Sequence, residues 1–188
     1  MKTIELTRAE MMRRVARFRE LTPLPNQTDP AMPLAAKDIV YARKLLSVIG
    51  VETGATPVSS NAPIVGAAGM AMTLAVCPPG QGPELHAHVK TYETFTVLRG
   101  RFEVRWNDDG SERLELGEFD TISVPPGVCR AFRNIGDEEG ILQVLITGGV
   151  HDMTDIDFAG DAKRRIEAVG RGLSKEFETA GFTFTAGK

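Results

Sequence analysis

At 188 residues the chain is long enough to bury roughly 70% of its unfolded surface and too short for two comfortable domains. Its 22 basic and 25 acidic side chains, net charge -3, are interspersed, which excludes the one-signed patch a phosphate backbone needs, so nucleic acid is not an expected partner. No run approaches the ~20 apolar residues of a membrane helix, and Met1 to Glu10 lacks an apolar signal core, so the chain is expected off the membrane and in the cytoplasm.

Thr7-Arg-Ala-Glu10 has the form of a capping box, and Met11, Val15, Phe18 and Leu21 follow at helical spacing, which predicts an amphipathic helix over 7–20. Pro23 and Pro25 end it and open a connector over 22–34. Ala35 to Ile49 suits a helix or a strand, with the strand favoured near Arg43 to Ile49. From about Gly69 to Gly149 short runs of Val, Ile, Phe and Thr alternate with turn signals at Pro78-Pro-Gly80, Asn107-Asp-Asp-Gly110, Pro125-Pro-Gly127 and Gly136-Asp137, an all-β rhythm. Within it Phe102, Val104 and Trp106 alternate with Arg101, Glu103 and Arg105, and the turn ending at Gly110 leads to a second strand around Arg113 to Leu116, a hairpin with one buried face.

In the tail, Ala162, Ile166, Val169, Leu173 and Phe177 share one side, while Gly170 and Gly172 break the segment into two short helices. The chain therefore divides into a helix and connector (1–34), a β unit (35–150, core 65–150) and a helical extension (151–188) whose apolar stripe packs on the β unit or on a second subunit. Cys77 and Cys129 have neither metal-finger nor redox spacing and are expected as free thiols. Strand parity puts Cys129 on the face opposite Arg130, where packing is its role.

The chemistry-bearing residues lie in the middle. Gly80, His86, His88, Glu93 and Gly100 stand in the order G-x5-H-x-H-x4-E-x6-G, and two histidines at i and i+2 on a strand project from one face. A short turn through Val89, Lys90 and Thr91 brings Glu93 opposite them. Two imidazoles and a carboxylate suit divalent iron, manganese, nickel or zinc, and the residues do not choose among these.

That spacing is the first motif of the cupin superfamily, which the chain resembles over about 65–150. The resemblance implies a double-stranded β-helix, or jelly-roll, barrel in which this motif supplies three of four metal ligands. Within Val124-Pro-Pro-Gly-Val-Cys-Arg-Ala-Phe-Arg-Asn134, Pro125, Gly127 and Asn134 match the second motif. Two positions depart: Phe119 replaces the first glycine, and Arg130 stands where the fourth ligand, a histidine, belongs.

Arg130 accordingly reads either as the replacement for a metal, paired to Glu93, or as a clamp for a substrate carboxylate. Phe95, Trp106 and Phe132 are candidate pocket walls, although large alternating apolar residues first of all fill a small barrel, and Gln143 either orients a ligand or meets solvent. The leading expectation is a metal-dependent dioxygenase-type enzyme acting on a small chelating molecule; the alternative is a metal-free module binding a carboxylate-bearing metabolite. An isomerase using His86 or His88 as base needs a nearby acid, and of the tyrosines, Tyr41 and Tyr92, the latter adjoins Glu93 and points away. His151, in a loop, is expected in solvent. A homodimer is what the resemblance and the frequency of two-fold pairs imply.

Overall fold

The structure is a computed structural model that describes residues 1, 3–50, 61–149 and 152–187. Helical pieces come first: α1 (Arg8–Met12), a 3-10 turn (Phe18–Glu20), α2 (Pro25–Thr28) and α3 (Leu34–Val40). Strands follow: β1 (Lys44–Gly50), β2 (Ile64–Val65), β3 (Met70–Cys77), β4 (His86–His88), β5 (Tyr92–Arg99), β6 (Phe102–Trp106), β7 (Glu112–Leu116), β8 (Thr121–Val124), β9 (Arg130–Asn134), β10 (Gly140–Thr147) and β11 (Ile156–Ala159). Helices α4 (Gly160–Val169) and α5 (Leu173–Thr179) and strand β12 (Thr183–Ala186) end the chain.

The strands form two six-stranded sheets, ordered β2-β1-β3-β10-β5-β8 and β12-β11-β4-β9-β6-β7, the jelly-roll arrangement. Each keeps its own hydrogen-bond ladders, so the expected barrel is a two-sheet sandwich rather than a closed ring among the described residues. Period-two patterning fills the space between them: on β10 Leu142, Val144 and Ile146 are buried while their neighbours are half-exposed. Phe95 from one sheet meets Phe132 from the other edge-on at 5.2 Å, and Phe102 adds a second edge contact at 6.2 Å.

The hairpin forms as expected, with Phe102 opposite Leu116 and Val104 opposite Leu114. The ambiguous stretch 35–49 resolves into both candidates, a helix that buries Ala36, Ile39 and Val40 and then β1, which pairs antiparallel with β3. The N-terminal helix is shorter than expected. Its capping box is made, with Glu10 N donating to Thr7 Oγ1 and Thr7 N to a Glu10 carboxylate oxygen, but α1 ends at Met12. Met11, Val15 and Phe18 all remain exposed, so no tertiary burial offsets the cost of ordering a longer helix.

The C-terminal extension is not helical alone. β11 pairs antiparallel with β4, and β12 lies parallel to β11, so the extension adds two strands to the second sheet, joined by α4 and α5. At four residues each, these strands sit at the short limit for reading alternation, and the helical periodicity of the tail lies between them. The two glycine-separated helices occur where expected, and Ala162, Ile166 and Phe177 are buried with Tyr41, Phe158, Phe182 and Phe184 in a second core cluster. Val169, assigned to the same stripe, is 40% exposed. No described helix is long and apolar enough to cross a membrane.

Phe119 shows what the missing motif glycine did. It holds a φ of 71° and is 76% exposed, a left-handed conformation for a bulky residue with almost no contact to offset it. Phe119→Gly is expected to raise stability by about 0.5–1 kcal/mol. An unchanged or lower urea midpoint for the variant would contradict this.

Candidate metal centre

β4 exposes His86 and His88 on the same face and is pinned on both sides, by β9 through His86 opposite Arg130 and by β11 through Phe158 and Ile156. Glu93 sits on β5, in the other sheet, between Val124 of β8 and Ile146 of β10. The short turn between β4 and β5 thus carries the chain from one sheet to the other and sets the three side chains face to face. Gly127 N, from the second motif, donates to His88 O at 2.7 Å, tying that turn to the site.

His86 Nε2 and His88 Nε2 each lie 3.6 Å from the same Glu93 oxygen, Oε2, and the ligand atoms of all three lie within 4.8 Å of one another. All three residues are buried. The hydrogen-bond network assigns the tautomers: His86 Nδ1 is 2.9 Å from Glu84 O, and His88 Nδ1 is 3.1 Å from Asp155 Oδ2 and from Thr91 Oγ1. A carbonyl or a carboxylate only accepts, so both Nδ1 atoms carry protons, and both Nε2 atoms face Glu93.

Arg130 is fully buried beside this group. Its Nε donates to Glu93 Oε2 at 2.8 Å and its Nη1 to Val128 O at 3.0 Å, while Nη2 has no hydrogen-bond partner among the described residues. Burial alone would raise the Glu93 carboxyl, but the charge of His88 when protonated and that of Arg130 outweigh it and hold the group well below the usual carboxylate range. Two imidazole nitrogens and a carboxylate are a donor set that a divalent transition metal fits; a proton shared between a histidine and Glu93 is the metal-free way of joining them.

Beside the cluster lies a cavity of about 80 Å³. Its walls are mainly apolar, among them Tyr41, Phe132, Val144, Ile146, Phe158 and Phe182. Of the residues expected to bind substrate, Phe132 lines it. Phe95 lies in the inter-sheet core, and Trp106 is half-buried at the end of β6, opposite Arg130 and outside the lining. Arg130 is not part of the lining either, being turned to Glu93. Gln143 alternates with pocket-lining Val144 and so lies on the outer face, where its Nε2 approaches Met72 Sδ at 3.2 Å.

Asn134, matched to the second motif, works inside the protein by donating to Cys77 O and Glu138 O. Burial pushes the Cys77 thiol up to about 12 and the Cys129 thiol to about 11, so neither supplies a thiolate near neutral pH. Burial also pushes the Tyr41 hydroxyl to about 12, which makes it a poor general acid for an isomerase. His151 lies outside the described residues. Residues that reading the sequence missed include Asp155, Phe158 and Phe182, which reach the site from the C-terminal extension and carry no local signature.

A family model described as the cupin domain matches residues 73–147. Among solved structures, the chain is 21% identical over 44% of its length to a protein from Bacillus halodurans (65% of that chain, TM-score 0.42). It is 19% identical over 55% to the cupin domain of Cnp3 from Schizosaccharomyces pombe (64% of that chain, TM-score 0.43). It is 21% identical over 57% to a DMSP lyase, DddQ, from Ruegeria pomeroyi (47% of that chain, TM-score 0.45). The chain spans less than two thirds of each of these three proteins. No curated protein matches the sequence.

Proposed function

We propose, from the premise that residues 73–147 of this chain are a cupin domain, that it is a metal-dependent enzyme of small-molecule metabolism, of the dioxygenase type, acting on a small oxygenated compound able to chelate a metal. The observation that carries the reading is the convergence of two imidazole nitrogens and one carboxylate, within 4.8 Å, at the wall of an apolar cavity. His86, His88 and Glu93 would hold iron, manganese, nickel or zinc, whose chemistry when bound is Lewis-acid polarisation and, for iron or manganese, electron transfer.

The remaining chemistry belongs to this chain's own residues. Asp155 and Glu84 O keep the Nδ1 protons of His88 and His86 in place. Phe132, Phe158 and Phe182 exclude water from the ligand. Arg130 keeps Glu93 ionised. With arginine in the fourth-ligand position the protein supplies three ligands, leaving room for substrate and dioxygen together. Pairing of two chains belongs to the same proposal.

The test is elemental analysis of protein purified without chelator or metal-affinity tag. One divalent transition metal per chain is expected, lost in the His86→Ala, His88→Ala double variant. A metal-free wild type, no more stable than that variant, would sink the enzyme reading. It would favour the second one, a metabolite-binding protein, for which the Glu93–Arg130 ion pair at 2.8 Å is the supporting observation.

A further inference from the structure

We infer that Asp155 is a positioning residue of this centre: it fixes the Nδ1–H tautomer of His88 and grips the turn that spaces His88 from Glu93. The inference deepens the proposed metal-binding reading, and it concerns a residue beyond the segment that the cupin-domain model matches.

Asp155 sits just before β11 and is 0% exposed. Its Oδ2 accepts from Thr91 Oγ1 at 2.6 Å and lies 3.1 Å from His88 Nδ1. Its Oδ1 accepts from Lys90 N at 2.6 Å, and its backbone carbonyl accepts from Val89 N at 2.8 Å. One residue therefore holds every member of the turn Val89-Lys-Thr91 as well as His88, the ligand just before it. Thr91 Oγ1 gives its single proton to Asp155, so it accepts rather than donates toward His88 Nδ1.

The chemistry is that of a carboxylate behind a metal-binding imidazole. An acceptor on Nδ1 keeps the proton there, points the Nε2 lone pair at the metal position and makes that nitrogen a stronger ligand. The same grip sets how far Glu93 stands from His88, because the turn has no freedom to re-space them. An amide cannot do this work: Asn offers one acceptor oxygen where Lys90 N, Thr91 Oγ1 and His88 Nδ1 need two.

The experiment uses the full chain with selectively 15N-labelled histidine, metal-free, at a pH well above the ordinary imidazole value of about 6.5, so that the tautomer is read. In the wild type, His88 is expected with Nδ1 protonated and Nε2 bare. In Asp155→Asn the balance is expected to move toward Nε2–H, and zinc affinity to fall about 10- to 100-fold. A wild type with bare Nδ1 on His88 would overturn the inference without reference to any variant, and so would an Asn variant with unchanged spectrum and zinc affinity. A wild type that takes up no zinc would overturn the metal reading separately, with the histidine spectrum still deciding the role of Asp155.

Discussion

Replacing Arg130 with methionine is expected to lower the unfolding free energy by about 3–5 kcal/mol. The guanidinium is fully buried, its Nε is 2.8 Å from Glu93 Oε2, and its loss strands a carboxylate that is itself 5% exposed. At roughly 2–4 °C per kcal/mol for a chain of this size, the midpoint of thermal unfolding should drop by about 10 °C. Much of that loss is the penalty of an unpaired charge, so the Arg130→Met, Glu93→Gln double variant should recover most of it. If His86, His88 and Glu93 form a metal centre, zinc should also restore part of the single variant's stability by supplying the missing positive charge. Denaturant melts of the four proteins of the cycle decide the matter. A single-variant loss under about 1 kcal/mol would mean that Glu93 finds its compensation elsewhere.

Gly82→Ala is expected to be damaging although it adds a single methyl group. A Cβ at position 82 would stand 1.9 Å from Phe132 O and 2.8 Å from Phe132 C, both backbone atoms that no rotamer change can move. The segment 80–82 lies against the end of β9, with Asn134 N donating to Gln81 O at 3.0 Å and Gly80 N to Asn134 O at 2.8 Å. Pushing it away shifts the start of the run that leads to His86 and disturbs Phe132 at the cavity wall. Overpacking usually costs about 1–3 kcal/mol, and a backbone-to-backbone clash belongs at the top of that range or above. The expected result is a loss of at least about 3 kcal/mol together with weakened metal uptake. A variant with wild-type stability would show that the two segments separate freely.

His86, His88 and Glu93 were legible in the sequence because their relation is local. Two of them share a face by strand parity, and the third follows one short turn later, so few arrangements of the chain keep them apart. The hairpin and the glycine-broken helices were legible for the same reason, each being decided within about twenty residues by periodicity and turn chemistry. Parity also placed Phe95 and Phe132 on inward faces, but depth between two sheets is not a property of a strand, and only packing separated the core residue from the cavity wall. Gln143 shows the same limit: alternation set it apart from Val144, and the packing of the second sheet against Leu142, Val144 and Ile146 decided which of the two faces was the inner one.

Arg130 was identified as the departure from the family's ligand set, yet whether it met substrate or Glu93 depended on β9 and β5 facing each other from different sheets. Asp155 was invisible, being 67 residues from the His88 it holds and set in an ordinary polar loop. The sequence by itself determined which donors surround the site, since residue identity and short-range geometry suffice for that. Tertiary structure alone decided their charge balance, their tautomers and the shape of the cavity beside them, because these depend on buried contacts between segments that only the completed fold brings together.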